Sequence, residues 1–136
     1  MPVVDIPGKS EKYILVSGHY DSWYEGITDN ATANAVTLEC ARIMHSHRQE
    51  LRRGVKVVFW SGHSDGRYAG SSWYVDNYWE DLDKNCVAHV NLDLLGGKND
   101  ELVLRATSLM EKEGLSEGII EEFSGIRPHL DMGLSR

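Results

Sequence analysis

The sequence predicts an α/β domain whose helices flank a sheet with parallel strands. Three short apolar, β-branched runs at 13–17 (YILVS), 55–60 (VKVVFW) and 87–92 (VAHVNL) read as buried strands. Helix-length segments separate them, the signature of βαβ units joined by right-handed crossovers. Conspicuous polar residues follow the ends of all three runs, where open α/β sheets place their ligand crevice. With 136 residues the chain has the size of one domain, spanning 1–136.

Taken in order, residues 3–6 (VVDI) form an early strand, ended by Pro7-Gly8, that pairs at an edge. The run 13–17 follows and stops at Gly18. Residues 31 to about 51 make a helix with apolar positions at Val36, Cys40, Ile43, Met44 and Leu51. Asp29 or Asn30 is its expected N-cap, and Arg52-Arg53-Gly54 its basic last turn and C′ glycine. Ser61-Gly62 closes the second strand. An aromatic-rich helix begins near Gly70 and runs towards Tyr78, and after the third strand a helical pattern covers 101–122 with a glycine break at Gly114.

Composition narrows the function. Forty-one per cent hydrophobic and 26% charged residues are globular values. A formal charge of −7 argues against a nucleic-acid partner, which calls for a basic patch. No apolar run is long enough to span a membrane, and the start (MPVVDI) is not a signal peptide, so the expected compartment is cytoplasmic if the chain is native. Cys40 and Cys86, without a CxxC pattern, read as buried free thiols.

The candidate functional residues are those at the strand ends: His19 and Asp21, then His63, Ser64 and Asp65, then Asp93, with Asp29 on the same rim. His19 and Asp21 are two apart, so in extended chain their side chains leave one face. A metal-bound imidazole typically gives its other N–H to a carboxylate or carbonyl. The set therefore describes a carboxylate-rich site for one or two divalent cations, zinc first. The bland alternative is an acidic rim that holds no ion. A competing reading takes Gly62-His63-Ser64-Asp65-Gly66 as a GxSxG nucleophile elbow, with Asp93 and His129 completing a serine hydrolase. Against it, little chain separates Ser64 from Asp93, no HGGG-type oxyanion segment is present, and His129 falls in a Pro-rich turn.

The motifs SGHYDSW (17–23), GITDNATANAV (26–36), E-x-AR (39–42), VVFWSGH (57–63), GRYAGSSWYVD (66–76) and NCVAHVNLD (85–93), in this order, resemble the M28 family of zinc-dependent aminopeptidases. The resemblance spans most of 3–97. It implies a phosphorylase/hydrolase-like mixed sheet between helices, incomplete here, and a pair of zinc ions acting on a peptide or small-molecule substrate. On the matched positions the resemblance implies His19 as a metal ligand, Asp21 as its supporting carboxylate, Asp29 as the carboxylate bridging two ions, and Asp93 as a further ligand beside His19.

Two departures stand against that pattern. The family carries adjacent glutamates after GH, a general base and then a zinc ligand, where this chain has Ser64 and Asp65. Asp65 still offers a carboxylate, one methylene shorter. Ser64 does not accept a proton at neutral pH, and such a group contributes about 10²–10⁴-fold in rate. His63 or Asp65 is the available substitute if the ions shift. The family's last histidine ligand lies well beyond the third strand, and His129 is a poor stand-in. The expectation is an exopeptidase-like domain of weak or no activity; the alternatives are a catalytically silent binding or assembly module, and the serine hydrolase.

The remaining features read blandly. His45 and His47 belong to a surface, His89 is a packed or hydrogen-bonded core histidine, and Trp73, Tyr74, Tyr78 and Trp79 pack a helix. Glu121-Glu122 forms a solvated face, and Gly96-Gly97-Lys98 is a turn rather than a phosphate loop. An incomplete sheet exposes an apolar edge or face, so a homo-oligomer is the expected assembly.

Overall fold

The computed structural model describes residues 1–96 and two short strands beyond them, Val103–Leu104 and His129–Leu130. Contacts divide the chain into two compact units, Met1–Gly97 and Lys98–Arg136. In the first, the elements run β1 (Val3–Ile6), β2 (Tyr13–His19), α1 (Thr32–Ser46), β3 (Gly54–Trp60), α2 (Ala69–Asn85) and β4 (Cys86–Asn91). They build a four-stranded mixed sheet of order β1-β3-β2-β4, with β2 parallel to both β3 and β4 and β1 antiparallel to β3 at the edge. The second unit contains β5 (Val103–Leu104) parallel to β6 (His129–Leu130).

Alternation along the strands divides the core between the two faces. On one face Tyr13, Leu15, Val58 and Trp60 pack with Tyr74 of α2, supported by Leu82 and Cys86. On the other, Val55, Val57 and Phe59 pack with Ile6 of β1, joined by Val16, Leu51 and Ala41 of α1. Both faces of β2 and β3 are thus covered, which is why these strands are apolar at successive positions.

Several elements depart from the sequence expectation. Helix α1 ends at Ser46, not near Leu51, because Ser46 Oγ donates to Ile43 O at 2.7 Å and the Arg48 guanidinium to His45 O at 3.0 Å, capping the last turn. Gly54 is not its C′ residue but the first residue of β3, where an added Cβ would come 3.0 Å from Ile6 O. The buried positions of α1 are Ala33 and Thr37; Val36, Ile43 and Met44 are exposed. The N-cap is Ala31, without a side-chain cap, because Asp29 and Asn30 sit in non-helical backbone of the preceding π-turn and are used elsewhere.

Helix α2 runs seven residues past Tyr78, with non-helical backbone at Tyr78 itself. Of its four large aromatics only Tyr74 is buried, meeting Trp60 edge-on at 5.3 Å. The expected third buried strand, β4, is exposed at Val87 and Val90, because β2 is its only partner among the described residues. His89 is likewise exposed rather than a core residue, with its Nε2 2.7 Å from Ser17 Oγ. Since the single Ser17 hydroxyl hydrogen goes to Asn91 Oδ1 at 2.8 Å, His89 Nε2 is the donor of that pair. Cys40 and Cys86 are free thiols but only half-buried.

Within 101–122, Val103–Leu104 is strand rather than helix, and the rest of that expected helix, with Gly114 and Glu121-Glu122, lies outside the described residues. His129 stands in a strand rather than a Pro-rich turn. Gly96 has a φ of 89°, the left-handed backbone of the expected turn, and Gly97-Lys98 lies outside the described residues. No helix among the described residues is long and apolar enough to cross a membrane.

Candidate metal centre

The parallel strands bring their carboxyl ends to one side of the sheet. Register places His19 opposite Trp60 and Ser17 opposite Asn91, so the residues that follow each strand meet there. His19, at the tip of β2, is 2% exposed. Gly18 before it is required by close approach, since a Cβ would lie 2.9 Å from Leu92 O.

His19 Nδ1 lies 2.7 Å from the backbone carbonyl of Asp21. A carbonyl only accepts, so Nδ1 carries a hydrogen and Nε2 is turned to the other side of the ring. There, Asp29 Oδ1 stands 2.8 Å and Asp93 Oδ1 3.4 Å from Nε2. His19 Nε2, Asp29 Oδ1 and Asp93 Oδ1 are all buried atoms without a hydrogen-bond partner. An Nε2 facing two carboxylate oxygens is relieved by a proton or a cation between them, and one imidazole nitrogen with two carboxylate oxygens is a donor set that fits a divalent metal.

Asp21 supports the site differently from the simple His–carboxylate pair. Its carboxylate is 4.0 Å from His19 Nδ1 and instead accepts the backbone N–H of Ser64 at 2.8 Å and of His63 at 3.2 Å. Burial works against its ionisation, but these amides together with its own backbone N–H and the nearby His19 outweigh it and hold its carboxyl below the usual carboxylate range. Asp21 therefore ties the loop after β3 to the loop after β2.

Asn30, 1% exposed, donates from Nδ2 to His19 O at 3.3 Å and Leu92 O at 3.1 Å, and its Oδ1 accepts from Leu94 N–H at 3.2 Å. Asn34 Nδ2 donates to the same His19 carbonyl at 3.0 Å. These amides hold the ends of β2 and β4 together beneath the carboxylates. The Asp29–Asn30 peptide bond is cis.

Of the residues singled out in the sequence, the structure brings His19, Asp21, Asp29 and Asp93 together. Ser64 joins through its amide, and no hydrogen bond links its hydroxyl to an imidazole among the described residues. Asp65 is exposed and takes no part in the cluster. His63 does take part: one ligand atom each from His19, His63 and Asp93 lie within 4.8 Å of one another. Its position directly after a buried strand was the available signal. Asn30 and Asn34 had none, because a cross-bracing asparagine and a capping one look alike in sequence. A cavity of about 550 Å³ opens beside His63, walled by Trp60, Tyr68, Tyr74 and Trp79.

An α/β sheet with an imidazole–carboxylate cluster at its carboxyl edge defines the class as a candidate metal-site α/β domain. The model of peptidase family M28 matches residues 3–126, and the chain belongs to that family. It is 32% identical over 93 residues to a probable glutamate carboxypeptidase of Zea mays, covering 65% of this chain and 13% of that protein. An aminopeptidase of Pseudomonas aeruginosa (strain UCBPP-PA14) is 30% identical over 94 residues, 68% of this chain and 17% of its own. The chain thus spans less than a fifth of either relative. The fold is shared with the peptidase M28 precursor of Shewanella amazonensis SB2B, at TM-score 0.73 and 17% identity over 94% of this chain and 29% of the other. It is also shared with the glutaminyl cyclase of an Acidobacteriales bacterium, at TM-score 0.72 and 20% identity over 94% of this chain and 48% of the other.

Proposed function

We propose that the chain forms the metal-binding part of an exopeptidase-type domain that hydrolyses a terminal peptide bond, with zinc held by His19, Asp29 and Asp93. The observation that carries this is the set of buried, unpartnered atoms His19 Nε2, Asp29 Oδ1 and Asp93 Oδ1 facing one another at the sheet edge. The carboxypeptidase and aminopeptidase names of the relatives support the exopeptidase class. A bound zinc supplies Lewis acidity, polarising the scissile carbonyl and making water a better nucleophile near neutral pH.

The chain's own residues supply position. The Asp21 carbonyl holds the His19 ring so that Nε2 faces the carboxylates, and the Asp21 carboxylate fixes the Ser64 and His63 backbone. Proton transfer is the weak point. At the position where the family carries its base, Ser64 has a hydroxyl that does not accept a proton at neutral pH, which removes about 10²–10⁴-fold in rate. The same substitution favours a second reading, a catalytically silent module that binds peptide or assembles with a partner.

Metal analysis of protein purified without chelator tests the first reading: at least one zinc per chain is expected, and none defeats it. Ser64→Glu is expected to raise aminoacyl-anilide hydrolysis, by less than the full ~10²–10⁴ of a well-placed base. A zinc-loaded Ser64→Glu variant with no gain at all favours the silent module.

A further inference from the structure

His63 lies flat against His19, with ring centroids 4.0 Å apart and planes 11° from parallel. Its Nδ1 is buried and has no hydrogen-bond partner, whereas buried polar atoms ordinarily find one. The atoms that His63, His19 and Asp93 offer lie within 4.8 Å of one another. Two zinc ligands at 2.0–2.1 Å stand about 3.4 Å apart at the tetrahedral angle, so the three close on one ion when they approach by about 1 Å and the His63 ring turns out of the stack to aim its in-plane lone pair at the ion. Of the two histidines, His63 is the one on a loop and the less buried, so the reorientation falls to it. It stands on the loop after β3 and is half-buried, while His19 is 2% exposed at a strand end. The loop is held in range by Asp21, which accepts the His63 N–H, and Tyr68 meets the imidazole edge-on at 4.9 Å.

We propose that His63, rather than Asp65, supplies the metal ligand from the loop between β3 and α2. One ion is then held by His19, His63 and Asp93, with Asp29 Oδ1 beside His19 Nε2 as the fourth donor. This rests on reading the cluster as a metal centre and states how this chain builds it. Exchanging a carboxylate for an imidazole makes the donor set softer and less negative, so the site selects zinc over magnesium and calcium.

The test uses the full chain, stripped with chelator and titrated calorimetrically with Zn²⁺, and with Co²⁺ as a spectroscopic probe of the ligand field. His63→Ala, His63→Gln and Asp65→Ala are compared with the parent, and circular dichroism reports folding. The expected result is one zinc per parent chain, at least tenfold weaker binding in both His63 variants with an altered Co²⁺ visible band, and parent-like behaviour of Asp65→Ala. The assignment is overturned by His63 variants that bind Zn²⁺ and absorb with Co²⁺ like the parent, or by loss of metal in Asp65→Ala alone. It is equally overturned if both His63 variants unfold while the metal-free parent stays folded, since His63 is then a packing residue. A parent chain that binds no zinc defeats the metal-centre reading itself, and is thereby distinguished from failure of the His63 assignment.

Discussion

Asn30 shows how much of the site depends on a residue that carries no chemistry of its own. Its amide serves the His19 and Leu92 carbonyls and the Leu94 N–H, all at the point where β2 and β4 end. Asn30→Ala leaves the Leu92 carbonyl and the Leu94 N–H without this partner, while His19 O keeps Asn34, and each buried unsatisfied group costs about 1–3 kcal/mol. The expected outcome in urea denaturation is an unfolding free energy lowered by that order, read as a lower midpoint at unchanged slope, with weaker zinc binding as Asp93 loses its support. A parent-like midpoint would show the amide to be dispensable. His19, Asp29 and Asp93 were legible because each follows or faces a strand end and has a side chain with little use in a core. In the sequence Asn30 is, with Asp29, one of two candidate helix caps, a use of the same residue type in the same neighbourhood.

Helix α2 is fastened at the end of the sheet away from the metal cluster. Asp81 accepts from Tyr13 Oη at 2.8 Å, Lys56 Nζ at 2.7 Å and Asn85 Nδ2 at 2.8 Å, and Lys56 sits over the Tyr13 ring at 4.0 Å. Hydrogen bonds from Asn85 and Lys56 push the Asp81 carboxyl down to about 2. Because the folded value lies below the unfolded one, the stabilisation is complete above about pH 4 and is lost as pH falls through about 2. At a carboxylate one-third exposed, screening leaves about 1 kcal/mol of it. Denaturation of Asp81→Asn at pH 7 and pH 2 is therefore expected to show a deficit at pH 7 that is much smaller at pH 2. A deficit equal at both values would mean that the ion pair is not what fastens the helix. The sequence showed that a helix starts near Gly70 but not that it continues past Tyr78, because the partners that hold its second half, Tyr13 and Lys56, are remote in the chain.

Across the first unit, apolar side chains remain exposed on several elements. Val87 and Val90 on β4 are 39% and 45% exposed, and Trp73 and Trp79 on α2 are 54% and 61% exposed. Isolated strand edges and apolar patches of this kind drive association. The chain alone is expected to self-associate, with a light-scattering mass above 15.3 kDa that rises with concentration; a monodisperse monomer would count against this. Local pattern determined the four strands, the two helices and the polar residues at the strand ends, because hydrophobic periodicity and glycine breaks are local properties. Tertiary structure alone decided which of those residues converge. Strand order brings His19 and Asp93 together across the sheet, the non-helical backbone at Asp29 turns its carboxylate to His19, and the loop after β3 presents His63 while leaving Asp65 exposed. Such convergence depends on contacts between residues distant in the chain, which no local pattern contains.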